Sequence, residues 1–308
     1  MTGNDIEARP LVIWRMLDGR RGHLTQIEGL TQGLVENIPL DLHDFEIEET
    51  SGHLLHWLLG SFPEGCGLPA PDLILAAGHK THFAALAARR AFGGRVVVLM
   101  KPSLPLSWFD LALIPEHDRP PTRPNVIATR GVINTVRPSD RHDDSTGLIL
   151  LGGPSRHHGW DQDDLLSQIR KIIEKQPAVR FSIGDSPRTP PETRQQIGSL
   201  AAVDFIPWEQ TQPGDIQALM QTAGQIWVSE DSVSMLYEAL GSGARTGLLS
   251  VPRRRETRIS RGVDQMAGKG LVTGFKQWSN ERELAPAPQL DEAGRCAHEI
   301  LERWPESD

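Results

Sequence analysis

The chain has 308 residues, 38% of them hydrophobic, and a formal net charge of −8. That hydrophobic share is enough for a folded core, and the acidic balance disfavours a broad nucleic-acid-binding face. No apolar run approaches the roughly 18 residues of a bilayer-spanning helix, and the polar N-terminus does not read as a secretory signal. Two distant cysteines, Cys66 and Cys296, fit a reducing compartment, so we expect a cytoplasmic protein.

Short apolar runs alternate with helical patterns in the first part of the chain. The runs that predict strands are residues 11–17, 73–77, 96–100, 111–114 and 126–128, and the helical patterns are residues 24–36 and 82–90. A repeated order of strand and then helix predicts a parallel sheet with helices on both faces.

Residues 136–146 are polar, contain a proline and show no apolar period, which predicts an interdomain linker. Beyond them the pattern returns, with strands at residues 148–151, 179–183, 226–229 and 246–251 and helices at residues 165–174, 216–222, 234–240 and 291–304. We therefore predict an α/β protein with domains at residues 1–140 and 141–290 and a C-terminal helix within residues 291–308. Ligands of such sheets bind at the carboxyl ends of the strands, so the loops there should carry the chemistry.

The loop after the first strand reads Asp18-Gly19-Arg20-Arg21-Gly22-His23. Its glycines allow close approach of the backbone to a ligand, the following helix N-terminus favours an anion, and His23 is a candidate base. The sequence is neither a Walker A loop nor GxGxxG, which removes the main support for an ATPase or a dehydrogenase. The alternative is a tight turn with solvated arginines.

A second loop, Gly78-His79-Lys80-Thr81-His82, again follows a strand and precedes a helix. It could hold a phosphate or the hydroxyls of an acceptor. In the alternative interpretation Thr81 caps the helix and the histidines are merely exposed. No carboxylate or cysteine accompanies His79 and His82, so we predict no metal site here.

Two loops of the second domain carry glycines or a proline-flanked arginine. Gly152 and Gly153 directly follow a strand, which suits a diphosphate that Ser155 could contact. Arg188, between Pro187 and Pro190, is either a rigid phosphate donor or part of a surface turn. The triplet at residues 161–163 imitates a manganese-binding DxD motif, but its place before a helix favours N-capping.

The most specific segment runs from Ser229 into a predicted helix. Ser232 and Ser234 lie at the helix N-terminus, where backbone N–H groups favour a pyrophosphate. Glu238 lies one helical turn after Ser234, where its carboxylate could accept the two ribose hydroxyls. The alternative is a capped helix with an exposed glutamate. No GxSxG elbow surrounds the serines, which argues against a serine hydrolase.

Together these motifs resemble the mitochondrial fission Elm-type family, whose bacterial members are labelled glycosyltransferases or, in older labels, nucleoside-diphosphate-sugar epimerases. The resemblance covers residues 11–275 and rests on the segments DGRRGH (18–23), GHKTH (78–82), PEHD (115–118), NVI (125–127), LGG (151–153), PRTP (187–190) and SEDSVSM with its following EA (229–239). More distantly, the layout resembles the lipid-linked N-acetylglucosaminyltransferase of peptidoglycan synthesis.

The resemblance implies a GT-B fold: two Rossmann-like domains facing a cleft, with the nucleotide-sugar donor on the second, the acceptor on the first and a C-terminal helix crossing back to the first. It implies metal-independent transfer of the sugar to a hydroxyl acceptor, an envelope glycan or a lipid-linked molecule, without a cofactor. The candidate bases are His23 and, second, Asp18. The candidate donor contacts are Gly152, Gly153, Ser155, Arg188, Asp231, Ser232, Val233, Ser234 and Glu238. The candidate acceptor or phosphate contacts are Arg20, Arg21, Gly22, Gly78, His79, Lys80 and Thr81.

Two rival functions fit the same motifs. An epimerase of the same fold would act by proton abstraction and elimination of the nucleotide, and would need no acceptor. A non-catalytic fission-type scaffold would bind a partner or a membrane surface; for the transferase, too, peripheral association with the inner membrane is an expectation.

The basic side chains are unevenly distributed. Five arginines crowd just after the predicted strand at residues 246–251, namely Arg253, Arg254, Arg255, Arg258 and Arg261. They could form a positive funnel for a diphosphate donor or an anionic lipid-linked acceptor, or simply a solvated helix start.

Overall fold

The computed structural model describes residues 9–48, 52–201, 203–256, 258–287 and 290–305, apart from the side chains of residues 258 and 259. The chain divides into two compact units. Unit 1 comprises Met1–Thr135 together with Glu292–Asp308, and unit 2 comprises Val136–Asp291.

Unit 1 is built on a six-stranded parallel sheet in the order β2-β1-β3-β4-β5-β6. Its strands are β1 (Leu11–Leu17), β2 (Leu40–Glu46), β3 (Leu73–Ala77), β4 (Arg95–Leu99), β5 (Leu111–Pro115) and β6 (Val126–Thr129). Its helices are α1 (Arg21–Val35), α2 (His53–Leu59), α3 (His82–Phe92) and α10 (Glu292–Arg303). Every residue of β3 and β5 is buried, because helices cover both faces of the sheet.

The C-terminal helix α10 belongs to unit 1 and packs against α1. Cys296 and Ile300 are buried in the same core cluster as Leu30 of α1. Gly33 of α1 allows this close approach, since a Cβ at that position would lie 2.7 Å from the Ala293 carbonyl oxygen.

Unit 2 contains a second six-stranded parallel sheet in the order β12-β11-β10-β7-β8-β9. Its strands are β7 (Asp143–Leu150), β8 (Arg180–Gly184), β9 (Val203–Ile206), β10 (Ala223–Ser229), β11 (Arg245–Leu249) and β12 (Thr273–Gly274). Its helices are α4 (Gln162–Lys175), α5 (Pro191–Gly198), α6 (Asp215–Met220), α7 (Val233–Gly241), α8 (Arg258–Gly268) and α9 (Phe275–Glu281). The two parallel sheets with interleaved helices confirm the predicted α/β class.

Some element boundaries differ from the sequence-based prediction. Strand β7 begins at Asp143, inside the predicted linker, because its polar first residues lie at the exposed end of the strand. Helix α1 begins at Arg21, so that Gly22 and His23 lie in its first turn rather than in a loop. The strands β2 and β9 were not predicted, since polar residues interrupt the short apolar runs of both, as is common at sheet edges.

None of the helices in the described ranges combines the length and the apolarity needed to span a bilayer.

The contact between α1 and α10 gives a stability prediction. Gly33→Ala should lower the free energy of unfolding by roughly 1–3 kcal/mol, because the added methyl overlaps the Ala293 carbonyl and overpacks the helix contact. Gly268→Ala is the control, since its Cβ would meet nothing within 4 Å and should be neutral or stabilising by up to about 1 kcal/mol. Urea unfolding followed by far-UV circular dichroism measures both. Equal midpoints for the two variants would contradict this account of the packing.

Candidate functional site

In unit 1, the loop after β1 and the first turn of α1 bring Asp18 and His23 together. Asp18 Oδ2 lies 2.8 Å from His23 Nδ1, and Asp18 Oδ1 accepts the Arg20 N–H at 3.1 Å. The Asp18 side chain is fully buried, whereas that of His23 is 16% exposed. A carboxylate at Nδ1 favours the tautomer that carries its proton there, which leaves a lone pair on Nε2. This arrangement suits a general base.

Gly78 makes room for the Asp18–His23 pair. Its φ is +88°, and a Cβ there would lie 2.4 Å from His23 Nδ1 and 2.9 Å from Asp18 Oδ2. Any larger residue would therefore both strain the backbone and displace the imidazole.

The other acceptor candidates lie around this pair. Arg20 is the N-cap of α1, and Arg21 and Gly22 are its first residues, all three exposed. His79, Lys80 and Thr81 form one 3₁₀ turn before α3. The Thr81 hydroxyl donates to the Gly78 carbonyl at 2.9 Å and does not cap α3, so the capping alternative is wrong.

His82 is a buried neutral histidine beside this site. It is 2% exposed, and its ring centroid lies 5.3 Å from that of Phe109. Burial, assisted by His79 and His23, lowers the pKa of His82 to about 4. Within the described residues, no three His, Cys, Asp or Glu side chains are arranged to hold a metal ion.

In unit 2, a buried carboxylate joins the loops that follow β7, β8 and β10. Asp231 Oδ2 accepts the Gly153 N–H at 2.9 Å and lies 2.9 Å from an Arg188 guanidinium nitrogen. Asp231 Oδ1 accepts the Ser229 hydroxyl at 2.8 Å, and the Ser229 oxygen in turn accepts the Gly152 N–H at 2.8 Å. We call Gly152, Gly153, Arg188, Ser229 and Asp231 the Asp231 cluster.

Both glycines of the cluster are sterically required. A Cβ on Gly152 would lie 2.1 Å from Asp231 Oδ2, and a Cβ on Gly153 would lie 2.0 Å from the Arg188 carbonyl oxygen. The N–H groups of both glycines are also bonded within the cluster. Gly152, Gly153 and Asp231 therefore build the framework of this edge, and their predicted direct contact with the donor stays a prediction.

Hydrogen bonds of the loop after β8 hold the backbone around Arg188 in place. The hydroxyls of Ser186 and Thr189 donate to the Gly152 carbonyl at 2.9 Å and 2.5 Å. One Arg188 nitrogen donates to the Gly153 carbonyl at 2.8 Å, yet the side chain is 41% exposed. A guanidinium has five N–H donors, so a fixed and partly exposed cation with donors to spare stands beside the glycines.

Helix α7 begins next to the Asp231 cluster. Its N-cap Ser232 makes no side-chain cap bond, and no acid lies in its first turn. The first N–H groups of a helix have no intrahelical acceptor, so Val233 and Ser234 offer donors at a positive dipole end. The Ser232 N–H instead donates to the Ser229 carbonyl at 3.1 Å. Ser234 is exposed, and the half-buried Glu238 lies one turn later.

Two other predicted polar residues have structural partners. The Ser155 hydroxyl oxygen accepts the N–H groups of His157 and His158 at 3.2 Å and 3.1 Å, which closes the turn. Asp161 is the N-cap of α4 and accepts the Asp164 N–H at 3.1 Å, so the capping interpretation of the 161–163 triplet is confirmed.

Of the two alternatives for the arginine segment, a positive funnel or a solvated helix start, Arg253 does not support the funnel. That guanidinium is paired with Glu230 and lies 2.7 Å from Asp264, and its hydrogen bond to Asp264 raises its pKa. Two carboxylates neutralise its charge, and the resulting ion triad ties α8 to the end of β10. Arg254 and Arg255 are exposed.

Sequence reasoning missed a third buried carboxylate, at the end of β8. Asp185 accepts the Trp208 N–H at 2.6 Å and pairs with Arg194 at 2.6 Å; burial raises its pKa although Arg194 opposes this. An acid directly after a predicted strand was the available signal for Asp185. Trp208 gave none, because β9 before it was not predicted.

Comparison with known proteins relates the chain to one family. The family model described as Mitochondrial fission ELM1 matches residues 21–304. The chain therefore belongs to this family.

Solved structures share the fold at low sequence identity. A candidate UDP-N-acetylglucosamine 2-epimerase from Listeria monocytogenes is 14% identical with a TM-score of 0.61, covering 97% of this chain and 98% of that one. The UDP-GlcNAc 2-epimerase from Neisseria meningitidis, bound to UDP-GlcNAc, is 15% identical with a TM-score of 0.54, covering 95% and 99%. MurG from Acinetobacter baumannii is 13% identical with a TM-score of 0.50, covering 94% and 95%. The fold is thus the GT-B type of glycosyltransferases and UDP-sugar epimerases.

The buried histidine gives a pH prediction. Because the folded-state pKa of His82 lies below the ordinary 6.5, the unfolded chain binds more protons between pH 6.5 and about 4. The free energy of unfolding should therefore fall by up to about 3 kcal/mol as the pH is lowered from 6.5 to about 4. His82→Gln should remove this part of the loss, whereas His298→Gln, at a 67% exposed side chain, should not. Urea midpoints at pH 7 and pH 4.5 measure it. An unchanged pH dependence in His82→Gln would contradict the assignment.

The Asp231 cluster gives a second prediction. Asp231→Ala leaves the Gly153 N–H, the Ser229 hydroxyl and Arg188 without their acceptor, and should lower the free energy of unfolding by roughly 2–4 kcal/mol. Ser234→Ala, at an exposed position in the first turn of α7, should stay within about 0.5 kcal/mol of the parent. Chemical denaturation decides. A loss as small for Asp231→Ala as for Ser234→Ala would show that the cluster does not hold the loops together.

Proposed function

We propose that this member of the Mitochondrial fission ELM1 family binds a nucleoside-diphosphate sugar at the Asp231 cluster and transfers the sugar to a hydroxyl acceptor. The observation that carries the proposal is that two groups border the Asp231 cluster: Arg188, which is fixed yet partly exposed, and the N-terminus of α7, which has no side-chain cap. Both offer N–H donors to an anion at the same edge of the sheet, after β8 and after β10.

A diphosphate fits this pair of donors chemically. When the bond between the sugar and the phosphate breaks, negative charge grows on the leaving diphosphate. The Arg188 guanidinium and the first N–H groups of α7 would stabilise that charge, and their positions are set before the reaction begins. Glu238 would accept the ribose hydroxyls, as acids do in other nucleotide-binding folds.

The Asp18–His23 pair supplies the proposed base. The acceptor hydroxyl would give its proton to His23 Nε2 while its oxygen forms the new bond to the sugar, and Asp18 would stabilise the imidazolium that results. Bonds and charges balance: one proton moves to His23, and the nucleoside diphosphate leaves with the electron pair.

Epimerisation of a UDP-sugar is the second candidate. It is favoured by the fold comparisons, in which two UDP-N-acetylglucosamine 2-epimerases have higher TM-scores than MurG. An epimerase needs a base but no acceptor. The two reactions therefore differ in the product that forms from the donor when no acceptor is present.

Calorimetric titration with UDP-, GDP- and ADP-sugars tests donor binding. At least one should bind, and Arg188→Ala should weaken it roughly 10- to 150-fold, because a hydrogen bond to a charged group is lost. Arg245→Ala is the matched control: its side chain is also 41% exposed and paired with one acid, but it begins β11 at the opposite end of the strands. Absence of binding, or equal loss in both variants, would overturn the proposal.

To identify the reaction, the protein is incubated with the donor in the absence of an acceptor, and the sugar is followed by NMR. A transferase should leave the stereochemistry at every carbon other than C1 unchanged and release nucleotide slowly to water. His23→Ala should bind the donor normally and release nucleotide about 10²- to 10⁴-fold more slowly. Inversion of the sugar at C2 in the absence of acceptor would show that the protein is an epimerase and not a transferase.

A further inference from the structure

Trp208 is an exposed aromatic at the carboxyl end of β9. Trp208 is 39% exposed, whereas the other tryptophans of the described residues are buried or half-buried. It begins a single 3₁₀ turn, Trp208–Gln210, directly after Pro207. A large apolar ring exposed at a ligand-binding sheet edge is an unusual use of tryptophan, because burial of that ring is favourable.

The backbone beneath the ring is rigid. The fully buried Asp185 carboxylate accepts the Trp208 N–H at 2.6 Å. Arg194 pairs with Asp185 at 2.6 Å and also with Glu209, the residue after Trp208. The Thr211 hydroxyl donates to the Trp208 carbonyl at 2.8 Å. The ring is therefore presented from a fixed turn and not from a mobile loop.

The same short loop that holds Trp208 also holds the Asp231 cluster. Asp185 bonds the turn after β9, while the next residue, Ser186, bonds the Gly152 carbonyl at 2.9 Å. Arg188, two residues further, pairs with Asp231. One hydrogen-bonded loop thus sets the position of Trp208 relative to the proposed diphosphate site.

The spacing along the sheet matches a nucleotide. Strand β9 is two strands from β7 and three from β10 in the sheet order. Since neighbouring strands lie about 4.8 Å apart, the turn that carries Trp208 stands roughly 10–15 Å from the Gly152–Gly153 turn and the start of α7. A ribose and its phosphates cover a distance of this order between a base and the far phosphate.

We propose that Trp208 is the stacking platform for the nucleobase of the donor. The inference rests on the proposed function, since it assumes that a nucleoside diphosphate occupies the Asp231 cluster. The π-face of the indole would take the base while Arg188 and the α7 N-terminus take the phosphates. Stacking on an aromatic face tolerates any base, so Trp208 contributes affinity for nucleotides as a class and does not choose among bases.

The test separates the nucleoside from the phosphates by using ligands that lack the transferred sugar. UDP, ADP and inorganic pyrophosphate are titrated into the full-length protein and into Trp208→Ala, Trp208→Phe and Leu59→Ala. Leu59→Ala is the control, because Leu59 is a 70% exposed apolar side chain in unit 1. Trp208→Ala should weaken UDP and ADP roughly 5- to 150-fold and leave pyrophosphate unchanged. Trp208→Phe should recover most of the loss, and Leu59→Ala should bind like the parent.

The contrary outcomes are distinct. If the parent protein binds neither UDP nor ADP, this inference fails, whereas the proposed function is decided separately by the titration with nucleotide sugars. If the parent binds both and Trp208→Ala binds them equally well, only the inference fails. Equal weakening of pyrophosphate in Trp208→Ala would mean that the ring merely supports the loop. That result overturns the stacking role.

Discussion

The burial of Asp231 governs the loops of unit 2. A buried carboxylate is costly unless every lone pair finds a donor, and Asp231 obtains its donors from three different loops, through Gly153, Arg188 and Ser229. Because those donors sit at the ends of β7, β8 and β10, satisfying one charge aligns the whole carboxyl edge of the sheet. Arg188 is thereby held beside α7 while part of its guanidinium stays accessible.

The same device occurs at two other strand ends. Asp18 receives the Arg20 N–H and pairs with His23, and Asp185 receives the Trp208 N–H and pairs with Arg194. In each case a buried acid after a strand takes one backbone N–H and one basic side chain. The acid fixes the geometry, and the group beside it (an imidazole, a guanidinium or an indole) is what a ligand can reach. Preorganisation of this kind costs stability in the fold but spares reorganisation on binding.

The sequence was informative wherever a pattern was local. Apolar runs identified most strands because a parallel sheet buries both faces, and the acid of the 161–163 triplet was correctly interpreted as a cap because capping depends only on the next three residues. The same reasoning failed for the edge strands β2 and β9. Asp204 interrupts the short strand β9, so no apolar run was recognised there, and the exposed Trp208 that follows it could not be placed at the sheet edge.

Roles that depend on partners distant in sequence were decided by the tertiary structure. The motif at residues 229–239 indicated an anion site, but whether Asp231 faces a ligand or supports the loops depends on Gly153 and Arg188, 78 and 43 residues away in the numbering. Arg253 looked available by composition and is neutralised by Glu230 and Asp264. The sequence by itself determined the α/β class and the loops that carry polar groups, because periodicity and turn chemistry are local. Only the packed structure decided which of those groups pair with one another. A buried charge needs a partner close in space, and that partner can be far away along the chain.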